Sequence, residues 1–248
     1  MKIGGLQKLT LIDYPGNVAC TVFLIGCNFR CGYCHNPELV LPEKIKTKSM
    51  IPGKKFFNFL NKRKGLLQGV VICGGEPTIH KALPEFIKKI KKFGYSVKLD
   101  TNGSNPEMLR KLIDTQLLDY VAMDIKAPIK TQNVKRKTQN NKLKFKNKYN
   151  QIVGVKVNLE NIKKSIEIIK DSGIDYEFRT TVVPGIHTKE DIIQIAKDIE
   201  PAKRYYLQNF RPGKTIDPKL VKIKPFSDKD ILAIQKTIAL FFEICEIR

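Results

Sequence analysis

No stretch of this chain is apolar for long enough to span a membrane. The longest apolar run near the start, Val18 to Cys27, is about ten residues, half of the ~20 a membrane helix needs. The opening "MKIGGLQKLTLIDYPG" also lacks the basic-then-apolar layout of a signal peptide. A cytoplasmic protein without a membrane partner is expected. No internal repeat of fixed period stands out, which sets aside solenoid architectures. Acids are scarce, with 24 Asp and Glu against 45 Lys and Arg and a net charge of +21. Cysteine is scarce after Cys34, where only Cys73 and Cys245 follow.

The charge invites a nucleic-acid reading, but its distribution argues against one. Residues 128–150, "PIKTQNVKRKTQNNKLKFKNKYN", hold eight Lys or Arg and no acid, more than a third of the excess. They show no clear apolar period and read as a flexible, solvated basic insertion. A basic surface of a lysine-rich proteome is the plainer reading, and attraction of an acidic protein partner lies between the two.

What is present suits a soluble globular chain. The 248 residues are 42% hydrophobic and 28% charged, enough for one α/β barrel as a single domain over 1–248. Short β-branched or aromatic runs lie at 18–26, 69–73, 95–101, 119–126, 175–183 and 204–210. Helical patterns separate them. Leu83, Phe86, Ile87 and Ile90 make one stripe ending at Gly94, and Asn105-Pro106 reads as an N-cap with proline at N1. Leu159, Ile162, Ile166 and Ile169 form another stripe after Asn158, and Ser227 caps a last helix with Ile231, Ile234, Ile238 and Phe241. Six βα units predict a parallel sheet with outer helices. They are too few to close an eight-stranded barrel, so a partial, open (βα)6 barrel is expected, with a doubly wound sheet as the alternative. Either places its site at the carboxyl ends of the strands.

The unusual residues fall there. Cys27, Cys31 and Cys34 follow the first strand in "GCNFRCGYCHNP". "GGEPT" follows the second, "DTNG" the third, "DIK" the fourth, "TTVVPG" the fifth and "QNF" the sixth. Reduced thiols in one short loop suggest metal or redox chemistry. A cubane cluster has four irons, so three thiolates leave one open, and an open position marks a catalytic site. The competing reading is zinc, with Cys20, Cys73 or His35 as the fourth ligand. Cys20 reads as core, Cys73 as a small buried cysteine near the rim, and Cys245 as packed in the last helix.

Cys-x3-Cys-x2-Cys with "GGEP" and "DTNG" at the next strand ends resembles the radical S-adenosylmethionine enzymes. "TLIDYPGNVACTVFLIGCNFRCGYCHNPEL", "MDIKAP" and "FRTTVVPG" narrow the likeness to activating enzymes of glycyl-radical enzymes, including those of anaerobic ribonucleotide reductase and pyruvate formate-lyase. The likeness covers nearly the whole chain, with the basic stretch after Pro128 as its main departure.

The resemblance implies one [4Fe–4S] cluster on Cys27, Cys31 and Cys34, with S-adenosylmethionine on the open iron. Reductive cleavage then yields a 5′-deoxyadenosyl radical, which removes a hydrogen from a backbone glycine of a partner. The implied cofactor-binding residues are Tyr33, Cys34, His35, Gly74, Gly75, Glu76, Asp100, Asp124, Ile125, Lys126 and His187. For Glu76, a structural strand-end acid is the alternative. Asp100 and Asp124 would support a monovalent cation, or be ordinary strand-end carboxylates; His187 would face the cofactor or begin a helix. Arg179, Thr180, Gln208 and Asn209 would line the substrate side. Without a second cluster the electron must come from outside, from a reduced flavodoxin or ferredoxin. The competing enzymatic reading is a radical S-adenosylmethionine enzyme acting on a small molecule, such as a deazaguanine-forming synthase, or on nucleic acid. A non-catalytic iron–sulfur or zinc module would not need the other strand-end motifs.

Overall fold

The alternating segments build one open sheet wrapped by helices. The computed structural model describes residues 1–130 and 147–248. Its strands are β1 Ile3–Thr10, β2 Ala19–Leu24, β3 Gly69–Gly74, β4 Ser96–Thr101, β5 Tyr120–Asp124, β6 Asp175–Val182, β7 Ala202–Asn209 and β8 Phe242–Ile247. Spatial order follows chain order, with β1 antiparallel to β2 and every later pair parallel. Among the described residues β1 and β8 do not pair, so the barrel is partial, as expected.

Six of these strands coincide with the six runs in the sequence; two were not foreseen. β1 carries Gly4 and Gly5, which blur its alternation. β8 was absorbed into the last helix because Phe241 extends the helical stripe. That helix ends at Ile238, a 3-10 turn spans Ala239–Phe241, and the chain then runs extended beside β7. Cys245 is therefore on a strand, not in the helix where it was expected. The predicted caps hold. The side chains of Asn105, Asn158 and Ser227 accept from the N–H groups of Met108, Glu160 and Asp230, satisfying donors that a helix start leaves free.

Strand periodicity sorts the two faces of the sheet. Val70, Ile72, Val97, Leu99, Val121, Met123, Tyr176 and Phe178 face outward into the core shared with the helices. The residues between them, Val71, Lys98, Asp100, Tyr120, Asp124, Glu177 and Arg179, face the inside of the barrel. The interior is thus largely charged and aromatic toward the carboxyl rim, where a closed barrel would hold layers of branched side chains.

Most of the basic stretch 128–150 lies outside the described residues. Its described ends are packed. The N–H of Ile129 donates to Asp198 over 2.6 Å, and a helix Lys148–Val153 starts after the Asn147 cap.

Candidate active site

The loop after β2 is braced by its own backbone. Gly26 sits at φ +106°, where glycine is favoured, and its N–H donates to the carbonyl of Leu39 over 2.7 Å. Phe29 N–H donates to Cys27 Sγ, Asn36 N–H to Cys34 Sγ, and Cys34 N–H to the carbonyl of Cys31. The guanidinium of Arg30 donates to the carbonyls of Cys27 and Phe29, each over 2.7 Å. Arg30 N–H in turn reaches the carbonyl of Val153, which ties the loop to the helix Lys148–Val153.

Three thiols share this loop, and each influences another. Burial raises Cys27 to about 12, with Glu76 adding to it and Cys31 and Cys34 contributing further. Burial likewise raises Cys31 to about 11, against the pull of Lys126, and pushes Cys34 up. The free thiols are therefore protonated at neutral pH, so loading a metal group must release protons.

The proposed fourth ligands point elsewhere. Cys20 is fully buried in the outer core, Cys73 packs with Tyr14 and Tyr120 inside the barrel, and His35 stacks on Phe210 at 5.6 Å. Among the described residues no three His, Cys, Asp or Glu side chains are grouped to hold a single metal ion. The arrangement that the zinc reading needs is not formed.

At the end of β3, Gly74 and Gly75 answer to the chain itself. A Cβ on Gly74, at φ +122°, would lie 2.3 Å from Leu24 N, and one on Gly75 would lie 1.9 Å from Gly26 O. The strand end and the cysteine loop approach too closely for any side chain. Glu76 takes the structural role considered for it. Its carboxylate accepts from Thr78 N–H (3.1 Å), Thr78 Oγ1 (2.6 Å), Thr101 Oγ1 (2.7 Å) and Asn102 N–H (2.6 Å), fully buried. It joins the loops after β3 and β4 beneath the thiols.

Asp100 and Asp124 converge, but on a protein cation. Arg179 Nε lies 2.9 Å from Asp124 Oδ1, and its guanidinium 3.3 Å from Asp100 Oδ2. Lys98 Nζ adds a 2.6 Å pair to Asp100, and Lys126 Nζ a 3.0 Å pair to Asp124. Burial alone would raise both carboxyls; Arg179 with Lys126 outweighs it and holds Asp124 at about 2, and Arg179 with Lys98 lowers Asp100. Arg179 therefore supplies positive charge to both carboxylates. This also moves Arg179 from the expected substrate side into the rim network. Lys98 was not singled out from the sequence; a lysine on the inward period of "SVKLDT" was its only signal.

The remaining candidates divide. Tyr33 is buried, packs edge-on to His187 at 6.2 Å and lies 6.0 Å from Lys126 Nζ, all at the rim. Both ring nitrogens of His187 are spent internally. Nδ1 accepts from Val183 N–H over 3.1 Å, so Nε2 carries the proton and donates to the carbonyl of Lys126 over 2.9 Å. Burial lowers His187 to about 4, so it is neutral. Ile125 is buried, and its carbonyl accepts from Thr180 Oγ1 over 2.9 Å. Thr180 in turn accepts from the Tyr205 hydroxyl over 2.8 Å. Asn209 is spent on the backbone of Phe226, and only Gln208 of the pair stays on the inner face near Thr181. Thr180 and Asn209 are thus held by the protein rather than offered to a substrate.

Residues 21–199 match the Radical SAM superfamily. The chain belongs to that superfamily. It is 32% identical, over 99% of its length and 95% of the relative's, to a protein of Methanocaldococcus jannaschii named as a glycyl-radical enzyme activating enzyme, MJ1227. It is 32% identical to the pyruvate formate-lyase-activating enzyme of Clostridium pasteurianum over half of each chain (50% and 53%). It is 26% identical to the 7-carboxy-7-deazaguanine synthase of Clostridium acetobutylicum over 74% of this chain and 80% of that one. Among solved structures, Streptococcus suis SuiB bound to S-adenosylmethionine superposes with a TM-score of 0.61 at 14% identity. That match covers 91% of this chain and about half (51%) of SuiB, and it shows a common fold.

For a radical SAM protein the family implies a [4Fe–4S] cluster and S-adenosylmethionine. Two observations fit these groups. The donor set is three thiols with no fourth thiol turned toward them, which leaves a position open. Beside them, among the described residues, the buried hydroxyls of Tyr33 and Tyr149 make no hydrogen bond of ordinary geometry. Among the described residues, no helix is long and apolar enough to cross a membrane.

Proposed function

We propose that this protein is an activating enzyme that installs a glycyl radical on a partner enzyme. The observation that carries the reading is the likeness to a glycyl-radical enzyme activating enzyme along 99% of the chain. A cluster held by Cys27, Cys31 and Cys34 with S-adenosylmethionine would supply one-electron radical chemistry able to take a hydrogen from a backbone glycine.

The chain's own part is binding, orientation and exclusion of water. Cys27, Cys31 and Cys34 hold the cluster, and the braces from Arg30 and Glu76 set their loop before anything binds. Lys126 offers a cation to a carboxylate or ribose oxygen of S-adenosylmethionine. Its pair with Asp124, itself clamped by Arg179, keeps that ammonium charged and aimed along the rim. Tyr33 and Phe29, both buried, close the loop against water on the barrel side. The open barrel edge suits a protein loop as substrate. The partner is a glycyl-radical enzyme, such as an anaerobic ribonucleotide reductase. The electron donor is an acidic reduced flavodoxin or ferredoxin.

The test is anaerobic reconstitution and reduction, followed by addition of S-adenosylmethionine. Release of 5′-deoxyadenosine and methionine is expected; their absence would overturn the radical reading. A candidate glycyl-radical enzyme added to the mixture should then show a glycine-centred EPR signal. Cleavage without such a signal on any candidate, with turnover of a small-molecule substrate, would favour the reading suggested by the deazaguanine synthase likeness.

A further inference from the structure

The helix Lys148–Val153 brings to the site a residue that no motif marks. Asn147 caps it, Lys148 pairs with Asp191, and the carbonyl of Val153 holds the cysteine loop at Arg30. Gly154 ends it in the left-handed region at φ +72°, where a Cβ would lie 2.6 Å from Arg30 O. So fastened, the helix inserts Tyr149, whose side chain is fully buried and packs edge-on to Phe29 at 6.5 Å.

Among the described residues the Tyr149 hydroxyl is enclosed and makes no hydrogen bond of ordinary geometry, although it faces the backbone N–H of Lys126. The Tyr33 hydroxyl is enclosed and unpartnered in the same way. The two phenols share their surroundings, since each feels Lys126, Cys31 and Asp124, and Tyr33 also feels Tyr149. Leaving a buried hydroxyl unpaired is costly, and native proteins rarely tolerate it. Two such groups beside the middle cysteine and the rim lysine, with their rings fixed by packing, point to a partner that arrives from outside the chain.

We propose that Tyr149 is a cofactor-binding residue whose hydroxyl donates to an oxygen or nitrogen acceptor of bound S-adenosylmethionine, paired with Tyr33 on the Lys126 side of the site. This rests on the radical S-adenosylmethionine reading of the three thiols. It adds a residue from outside the strand-end motifs, delivered by the helix that follows the basic stretch.

Tyr149→Phe keeps the ring and removes only the hydroxyl. In reconstituted, unreduced protein, where no turnover occurs, equilibrium dialysis should show S-adenosylmethionine bound about 3- to 10-fold more weakly by the variant. Iron and sulfide content, and the EPR spectrum of the reduced cluster without S-adenosylmethionine, should match wild type. In the cofactor-free protein, loss of an unpaired buried hydroxyl should leave the melting temperature unchanged or higher. Equal affinity for S-adenosylmethionine would overturn the proposal. So would an altered cluster in its absence, which would give the hydroxyl to the cluster, or a lower melting temperature, which would give it a protein partner. If the wild-type protein itself failed to bind S-adenosylmethionine, the reading beneath the proposal would fall, and that outcome is distinct from the others.

Discussion

Arg179 on β6 bridges Asp100 on β4 and Asp124 on β5, with Nε 2.9 Å from Asp124 and the guanidinium 3.3 Å from Asp100. One planar cation thereby draws three strand ends together at the rim, with Lys98 and Lys126 completing the neutralisation. Replacing it by methionine leaves two buried carboxylates short of a partner. We expect a loss of about 3–5 kcal/mol, read as a lower melting temperature at pH 7. The acid limb should move as well. Asp124 is held at about 2, below its unfolded value of ~3.9, so its contribution is complete above pH ~4 and is lost as pH falls toward 2. In Arg179→Met, where burial is opposed by Lys126 alone, the folded carboxyl rises toward or above its unfolded value and that acid-side loss should shrink or reverse; an unchanged acid limb would contradict the clamp.

His187 predicts a separate pH window. Burial lowers it to about 4, from ~6.5 when unfolded, so the unfolded chain binds the proton more readily between these values. Its contribution is complete above pH 6.5 and declines as pH falls toward 4. Melting temperature against pH should slope through this window in the wild type. His187→Gln should flatten the slope, and a variant with the wild-type slope would count against the assignment.

Gly75→Ala places a methyl group where Gly26 O already lies, at 1.9 Å. Backbone must shift, and the nearest backbone leads straight into Cys27. Iron bound after anaerobic reconstitution should fall severely, with a lower melting temperature. Gly213→Ala, where a Cβ would meet nothing within 4 Å, should reconstitute as wild type. Full iron content in Gly75→Ala would show that the close approach is not required.

Cys27→Ala, Cys31→Ala and Cys34→Ala should each abolish the cluster absorption and S-adenosylmethionine cleavage. Cys245→Ala should retain both, because Cys245 sits on β8 away from the loop. Loss of the cluster from Cys245→Ala, with the fold intact by circular dichroism, would mean that the ligand set is larger than three.

With a net charge of +21, reduction by the proposed acidic donor protein is expected to be sensitive to ionic strength. Raising salt from about 0.05 to 0.5 M should slow cluster reduction by a flavodoxin or ferredoxin severalfold, yet leave reduction by dithionite little changed. A donor rate independent of salt would leave the charge without this use.

Periodicity and punctuation carried most of the architecture. Alternating and 3-4-3 apolar patterns located six strands and the capped helices between them, because burying one face of each element requires those spacings. The cysteine spacing marked the candidate site, since a short loop between strand and helix keeps its thiols together wherever the fold places it. β8 stayed hidden because its first residues extend a helical stripe, and only pairing with β7 decides between helix and strand.

What the sequence by itself determined is the order of the βα units, their caps and the three thiols on one loop, because each follows from residues near one another in the chain. Only the tertiary structure decided what those residues face. It gave Arg179 to Asp100 and Asp124, spent Glu76 and His187 on internal bonds, pressed Gly75 against Gly26, and buried the ring of Tyr149 against Phe29. The deciding contacts mostly join segments far apart in the chain, such as Glu76 with Asn102 and Tyr149 with Phe29. No local pattern encodes such contacts.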